Sequence, residues 1–575
     1  MRGAGHVRML LAALTSMAMI APTPSSAAPD KSADPTVAGK HRVSRVEYDA
    51  GLTLLGPDTT TGTRTVQPMP SRLHGSLHVS SAPGPRPVVL LQHGRHSTCA
   101  LAGRETFGHP CPDTPVTADV RSFAGYDYLA ENLASHGYLV MSIDANGVNT
   151  HDLADLTAGA LARAQLISRS LDLLRSWSTT PGPAPVGGRL IGRVDLNRLG
   201  LMGHSRGGEG VTYWLDYNRR RTDGPRYRAS AVFSLAPIDA TAQAVSGVPY
   251  ATLLPMCDGD VYDLQGAAVF ERSKYAAPLD NAPKLQLAVE GANHNFFNTT
   301  WTGDDYFGSD FACSTKSDDN ARMTPEQQRR VGLATIGAFL RRFVGPERRL
   351  DALIAGRVPW TPACSRGLPV RCADLIRSSY IAGHDRRTLL LVPGSDENVT
   401  SQGRRVLTSG LSTYAQCEAG SDDRPCPGAS GFDAANRSPG PQITVAWDRQ
   451  GTLTVPVAVG SSRGATHLVV RTGVNWSDDR NPESDGLDPR SAVQDFDVVL
   501  IDRSGRIAAV TAARWGPALH APLGSVVRNL VLSDVRIPLT AFGNIDLEKV
   551  SAISLRFGRR TATGSIQLAD LSLQR

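Results

Sequence analysis

The chain has 575 residues, more than one ordinary domain needs, so two or more domains are expected. Hydrophobic residues make up 41% and charged residues 20%, the balance of a globular protein with sizeable cores. The formal net charge of +6 is small for this length and no Lys/Arg stripe with interleaved aromatics occurs, which argues against a nucleic-acid partner.

At the N-terminus, Arg2 and Arg8 precede an apolar run, Met9 to Ala21, that is too short to span a bilayer. The small residues Ser25-Ser26-Ala27 complete the pattern of an export signal, residues 1–27, cleaved near Ala27. Residues 28–44 read as a polar, disordered lead-in. No later stretch has the ~20 uninterrupted apolar residues of a membrane helix, so no transmembrane segment is expected and the mature chain reads as secreted. The eight cysteines agree with an oxidising compartment. Close pairs Cys99/Cys111, Cys364/Cys372 and Cys417/Cys426 leave Cys257 and Cys313 for each other, giving four disulfides in sequential order. The absence of any C-x-x-C argues against zinc.

From about residue 45, strand and helix patterns alternate, as in a mostly parallel sheet with helices on both faces. Pro87 to Gln92 is a continuous apolar strand; Tyr126 to His136 is helical and stops at Gly137; Tyr138 to Ile143 is the next strand. Leu153 to Trp177 is a long amphipathic helix. Arg198 to Gly203 is a strand, followed by a helix over Gly207 to Tyr217. Further strands are expected at Ser230 to Leu235, Thr252 to Met256 and Leu285 to Val289, and a helix with Pro325 in its first turn runs to about Phe343. Residues 45–355 therefore form an α/β domain. Residues 356–388, with three prolines and the Cys364/Cys372 loop, read as a stapled linker. Residues 389–575 carry short alternating segments, at Thr452, His467, Phe496, Ile507, Ile553 and Ile566, separated by turns: an all-β sandwich. Asn475 to Asp488 is rich in Asp and Asn, a composition that suits either calcium or a solvated loop.

The strongest chemical signal is Gly203-His204-Ser205-Arg206-Gly207, a G-x-S-x-G between a strand and a helix. The sharp turn presents Ser205 as a nucleophile, which needs a base. His294, after the last core strand, is the only histidine following Ser205 inside this domain and is the expected base. The acid that orients it should follow the strand Thr252 to Met256; Asp260, past Gly259, is favoured, with Asp258 and Asp239 as alternatives. The oxyanion donors expected are the backbone N–H groups of Arg206 and of Arg95, in the loop Gln92-His93-Gly94-Arg95-His96.

Leu90-Leu91-Gln92-His93-Gly94, Gly203-His204-Ser205-Arg206-Gly207-Gly208, the Asp260 loop and Gly291-Ala292-Asn293-His294 together resemble the actinobacterial α/β-hydrolases, in the neighbourhood of dienelactone-hydrolase-like, platelet-activating-factor-acetylhydrolase-like and cutinase-type polyester hydrolases, over roughly residues 45–345. The resemblance implies carboxylic ester hydrolysis without a cofactor or metal, through Ser205, Asp260 and His294, with Arg95 and Arg206 at the oxyanion; the ester substrate can be polymeric. Cutinase-type enzymes carry an aromatic residue in the first oxyanion loop, where this chain has His93-Gly94-Arg95, a departure that points away from a polyester. Val535 to Phe542, Asp546 to Gly558 and Gly564 to Leu571 resemble the closing strands of galactose-binding-like jelly rolls, which implies a sandwich and a carbohydrate- or surface-binding role for it. A peptidase with the same triad and a non-catalytic binding protein that keeps the fold are the competing readings.

Overall fold

The computed structural model describes residues 34–56, 59–61, 64–66, 68–153, 155–307, 313–315, 321–394, 396–427, 435–482, 492–523, 529–543 and 545–575. The expected export signal lies outside these residues, as does the Asp-rich segment from residue 483 to 488.

The first sheet has nine strands: β1 (Val43–Leu55), β2 (Met69–Ser80), β3 (Arg86–Gln92), β4 (Leu139–Ile143), β5 (Val194–His204), β6 (Ala229–Leu235), β7 (Tyr250–Pro255), β8 (Lys284–Val289) and β9 (Ile376–Ile381). In space they run β1-β2-β4-β3-β5-β6-β7-β8-β9. From β4 to β8 every neighbouring pair is parallel. The pairs β1/β2, β2/β4 and β8/β9 are antiparallel. The central strands are apolar runs because both of their faces are covered. On β3, Val89 and Leu91 pack with helices α1 (Asp127–Ser135) and α6 (Pro325–Gly332), while Val88 and Leu90 pack with α3 (Leu156–Trp177) and α4 (Arg206–Arg220) on the other side. Thr324 and Gln327 close a capping box at the start of α6, with Pro325 in the first turn. Shorter helices are α2 (Asn146–His151) and α5 (Gly266–Lys274).

Two elements depart from the sequence reading. The expected disordered lead-in is ordered from Pro35: Asn132 on α1 donates to the carbonyls of Thr36 and Val37, and the backbone N–H groups of Gly39 and His41 bond to Ser135. The expected linker supplies β9, which pairs along all six of its residues with β8. The nine-stranded sheet therefore runs past residue 355, to Ile381.

The remaining strands form two facing sheets. One contains β10 (Arg387–Leu391), β12 (Thr413–Ala419), β13 (Gly440–Trp447), β15 (His467–Val474), β18 (Ser533–Pro538) and β20 (Gly564–Gln574); the other contains β11 (Leu407–Ser409), β14 (Gly451–Pro456), β16 (Asp497–Asp502), β17 (Ile507–Thr511) and β19 (Val550–Phe557). Alternate residues from both sheets, among them Trp447, Leu468, Ile566, Leu453, Val498 and Leu555, share one apolar core, which makes this region a β-sandwich. Trp447 stacks on Phe557 inside it. The four disulfides are Cys99–Cys111, Cys257–Cys313, Cys364–Cys372 and Cys417–Cys426, the sequential pairing expected from spacing. No helix among the described residues is long and apolar enough to cross a membrane.

The outer face of the first sandwich sheet is polar, yet it is buried. Arg471 on β15 is fully buried and meets Glu271 on α5, Ser379 on β9 and Asp570 on β20. Lys274 on α5 also reaches Asp570, at 3.1 Å. Asp534 on β18 accepts from the backbone of Tyr380, and Arg536 donates back to the Tyr380 carbonyl. Arg377 on β9 pairs with the buried Glu290 and donates to the carbonyls of Pro517 and Ala521. Strand β9 thus carries contacts to both modules, and Pro35–Arg575 form one compact unit.

Candidate active site

Ser205 sits where β5 ends and α4 begins, at φ 57° and ψ −123°, a left-handed conformation strained for a non-glycine residue. The turn is possible because Gly203 lacks a side chain: a Cβ there would lie 1.9 Å from the Gly207 carbonyl oxygen. The Ser205 carbonyl accepts from Gly208 and Glu209 as the first helical bonds form, leaving the N–H of Arg206 at the open start of α4.

The loop after β3 lies directly on Ser205. A Cβ on Gly94 would meet Ser205 Cβ at 2.5 Å and its Oγ at 3.2 Å. The Gly94 carbonyl accepts from His93 Nδ1 at 2.8 Å and from Asn149 on α2 at 3.1 Å, and His93 Nε2 accepts from the Ala145 N–H. These bonds fix the His93 ring and the Gly94–Arg95 peptide plane. In a trans peptide the N–H points opposite to the C=O. The Arg95 N–H is therefore turned away from this buried network. The Cys99–Cys111 disulfide ties the two ends of the segment that follows, where Phe107 lies under the Arg95 guanidinium at 4.0 Å.

His294 follows β8 and is buried, its ring 4.7 Å from that of His204, the residue before Ser205. Its Nδ1 bonds Asp258 Oδ2 at 2.9 Å. Asp258 is buried as well, and its other oxygen accepts from the N–H groups of Asp260 and Val261. Asp260, the carboxylate expected from sequence to orient the imidazole, is elsewhere: its side chain is 59% exposed, and Oδ2 approaches His294 Nε2, not Nδ1, at 3.5 Å. The reason is the turn after β7. Cys257 donates to the Ala292 carbonyl and Asp258 to the Pro255 carbonyl, so the chain folds toward the His294 loop one residue after the disulfide cysteine. By Asp260 it has passed to the surface. Asp239, the other alternative, pairs with Arg272.

Two residues missed in the sequence complete the frame. Asp305 accepts from the backbone of Gly259, His294 and Asn295, stitching the acid loop to the histidine loop beside the Cys257–Cys313 bridge. Trp301 lies parallel to His294 at 6.5 Å, stacks on His96 at 5.0 Å, and is anchored by its indole N–H to Ser122. Neither has a local motif; a pair of acids near a cysteine, Asp304-Asp305 before Cys313, was the only cue.

The electrostatics follow from burial. Desolvation pulls the His294 imidazole down, but the charge and hydrogen bond of Asp258, with Asp260 and Asp305 adding, push it up to about 9. The Asp258 carboxyl is raised by its own burial, opposed by His294. His204 is pushed well below the ordinary histidine value by burial, then by the neighbouring His294, so it stays neutral. Beside the elbow, one buried carboxylate, Asp152, serves three guanidiniums: Arg163 at 2.8 Å, Arg95 at 3.3 Å and Arg206 at 3.8 Å.

Residues 118–311 match the PETase family, described as PET hydrolase-like. The span contains Ser205, Asp258 and His294 and excludes the sandwich. Among curated proteins, the chain is 28% identical over 173 residues to Cutinase 1 of Thermobifida cellulosilytica, covering 30% of this chain and 55% of that one. It is 29% identical over 197 residues to a bis(hydroxyethyl) terephthalate hydrolase of Streptomyces coelicolor, covering 34% and 53%. It is 33% identical over 84 residues to Cutinase est1 of Thermobifida alba, covering 15% and 23%. The chain spans about half the length, or less, of the curated relatives it matches.

Proposed function

We propose that this chain hydrolyses carboxylic esters, with Ser205 as nucleophile, His294 as base and Asp258 as the carboxylate that orients it. The observation that carries the reading is the buried Asp258–His294 hydrogen bond, made by Nδ1 and so leaving Nε2 for the proton, with the ring 4.7 Å from that of His204, the residue before a serine at positive φ. Among the described residues Nε2 has no hydrogen-bond partner. In this reading Ser205 Oγ attacks the ester carbonyl while its proton passes to His294 Nε2. The tetrahedral oxyanion is held by the N–H groups of Arg95 and Arg206. Collapse breaks the C–O bond, and the imidazolium returns the proton to the departing alcohol. Water, deprotonated by the same nitrogen, then attacks the acyl-enzyme and frees the acid and Ser205.

The names of the relatives support esters, polyesters included, as the substrate class. The first oxyanion loop lacks an aromatic, but Phe107 and Trp301 bring aromatic faces to the same neighbourhood from outside that loop. The four disulfides support secretion into an oxidising environment. The test is labelling with a fluorophosphonate, together with turnover of a short-chain p-nitrophenyl ester. Ser205→Ala is expected to abolish the label and lower turnover about 10³-fold or more while the protein stays folded. A wild-type protein that neither labels nor turns over esters, or a Ser205→Ala variant at near-native rate, refutes the reading.

A further inference from the structure

A cleft of about 580 Å³, within the range of small-molecule sites, opens beside the nucleophile elbow. One side is formed by Arg206, the residue after Ser205, and by the loops that follow β6 and the Asp258 turn, including Asp239 and Asp263. These are the carboxyl ends of parallel strands, where open α/β sheets bind ligands. The opposite wall belongs to the sandwich and includes Arg437.

The polar groups of this cleft are unequally satisfied. Asp239 is matched by Arg272, and its N–H donates to the Gln265 amide oxygen. Asp263 accepts from the same Gln265 amide. Glu209, under Arg206, accepts twice from Thr241. The two arginines are different. Arg206 shares Asp152 with Arg95 and Arg163 and is the most distant of the three. Arg437 spends one N–H on the neutral Asn529 side chain, and among the described residues no carboxylate pairs with it. Burial pulls its guanidinium down, opposed by the charge of Asp263 in the same cleft. Arg437 therefore keeps unused donor capacity on a planar guanidinium group, and the ligand group that fits a guanidinium fork best is a carboxylate.

We propose that this cleft receives a carboxylate borne by the ester substrate, and that Arg437, supplied by the sandwich, is a specificity-determining residue for such acidic esters. The proposal rests on the ester-hydrolase reading. It gives the sandwich a part in substrate selection at the site itself.

Two matched substrate pairs test it: p-nitrophenyl pentanoate against the mono-p-nitrophenyl ester of glutaric acid, and phenyl butyrate against p-carboxyphenyl butyrate. They place the carboxylate on the acyl side and on the alcohol side. In the full chain, Arg437→Gln is expected to lower kcat/KM about ten- to a hundredfold for the acidic member of at least one pair, chiefly through KM. The neutral members stay within about twofold, and Arg437→Lys recovers part of the loss. The thermal midpoint, measured alongside, is expected to stay at the wild-type value. A loss shared equally by acidic and neutral esters, or no loss for either acidic ester, overturns the proposal while leaving the hydrolase reading intact. Wild type that turns over no ester sinks the proposal, and absence of the fluorophosphonate label as well identifies the hydrolase reading as the one that failed.

Discussion

Replacing Asp258 by Asn keeps the shape of the buried side chain and removes its charge. Two consequences can be sized from the structure. The imidazole of His294 is held at about 9, against an ordinary value of ~6.5, despite complete burial that acts the other way. At about 1.4 kcal/mol per pKa unit, the carboxylates around it stabilise the imidazolium by at least ~3 kcal/mol, with Asp258 the largest contributor. Losing most of that costs on the order of 10²-fold wherever the imidazolium forms in the transition state. The second loss is orientation: an amide at 2.9 Å from Nδ1 can donate to it, which favours the tautomer with the proton on Nε2, where the serine proton must go. Together these give about 10³- to 10⁴-fold in kcat. The base must be neutral to act, so in the wild type kcat/KM rises as pH increases through about 9. In Asp258→Asn that limb moves to lower pH while the plateau falls. The assay is kcat/KM of a soluble p-nitrophenyl ester from pH 6 to 10, corrected for spontaneous hydrolysis. A plateau within tenfold of wild type, or a limb that does not move, refutes the assignment of Asp258.

Asp260→Asn is expected to act differently: its carboxylate faces Nε2 and is exposed, so the pH limb shifts downward but the plateau rate falls by less than tenfold. A collapse comparable to Asp258→Asn would return Asp260 to the role expected from sequence. Gly94→Ala places a methyl group 2.5 Å from Ser205 Cβ and 2.8 Å from the His204 carbonyl oxygen, so the loop after β3 must retreat; if that loop donates to the oxyanion as proposed, kcat is expected to fall about 10²-fold or more with little change in soluble expression. Arg471→Met strips the fully buried guanidinium from Glu271 and Asp570 and is expected to cost about 3–5 kcal/mol, read as a lower midpoint in urea. A chain ended after residue 355 loses β9 as well as the sandwich and is expected to be insoluble or inactive on soluble esters; retention of native rate and thermal midpoint would show that the modules are separable.

What was legible in the sequence was local. The Ser205 elbow needs only a strand, two small residues and a helix in succession, and the chain shows all of them between Arg198 and Tyr217. The central strands are readable because burial on both faces makes them continuous apolar runs. Asp258 was less legible because the direction of the chain after Pro255 is set from afar: by the bridge to Cys313, and by Asp305, which binds the Gly259 N–H across 46 residues. A reading that took Gly259 as the centre of the turn placed the carboxylate that bonds His294 Nδ1 two positions late. Strand β9 was hidden for a related reason. Ile376-Arg-Ser-Ser-Tyr-Ile has neither a continuous apolar run nor a clean alternation, since Arg377 and Ser379 are buried against groups the sandwich provides.

The same reasoning bears on what the sandwich does. An anchoring module on a tether keeps a polar, solvated surface toward its enzyme, and its loss leaves the enzyme's own sheet intact. Here the facing surfaces bury Arg471, Glu271, Asp570, Asp534 and Arg536, charges that are costly to desolvate and that persist only when held in register by partners on the other side. The strand carrying much of that register, β9, is hydrogen-bonded into the hydrolase-type sheet next to β8, and β8 leads directly into the loop of His294. Arg377 on β9 holds Glu290, four residues before the histidine, and reaches the sandwich at Ala521. A rigid attachment of this kind also fixes Arg437 opposite the nucleophile elbow, which a flexible linker would not do. The arrangement therefore favours a sandwich that shapes the cleft at Arg206 and Arg437 over one that only tethers the first module to a surface.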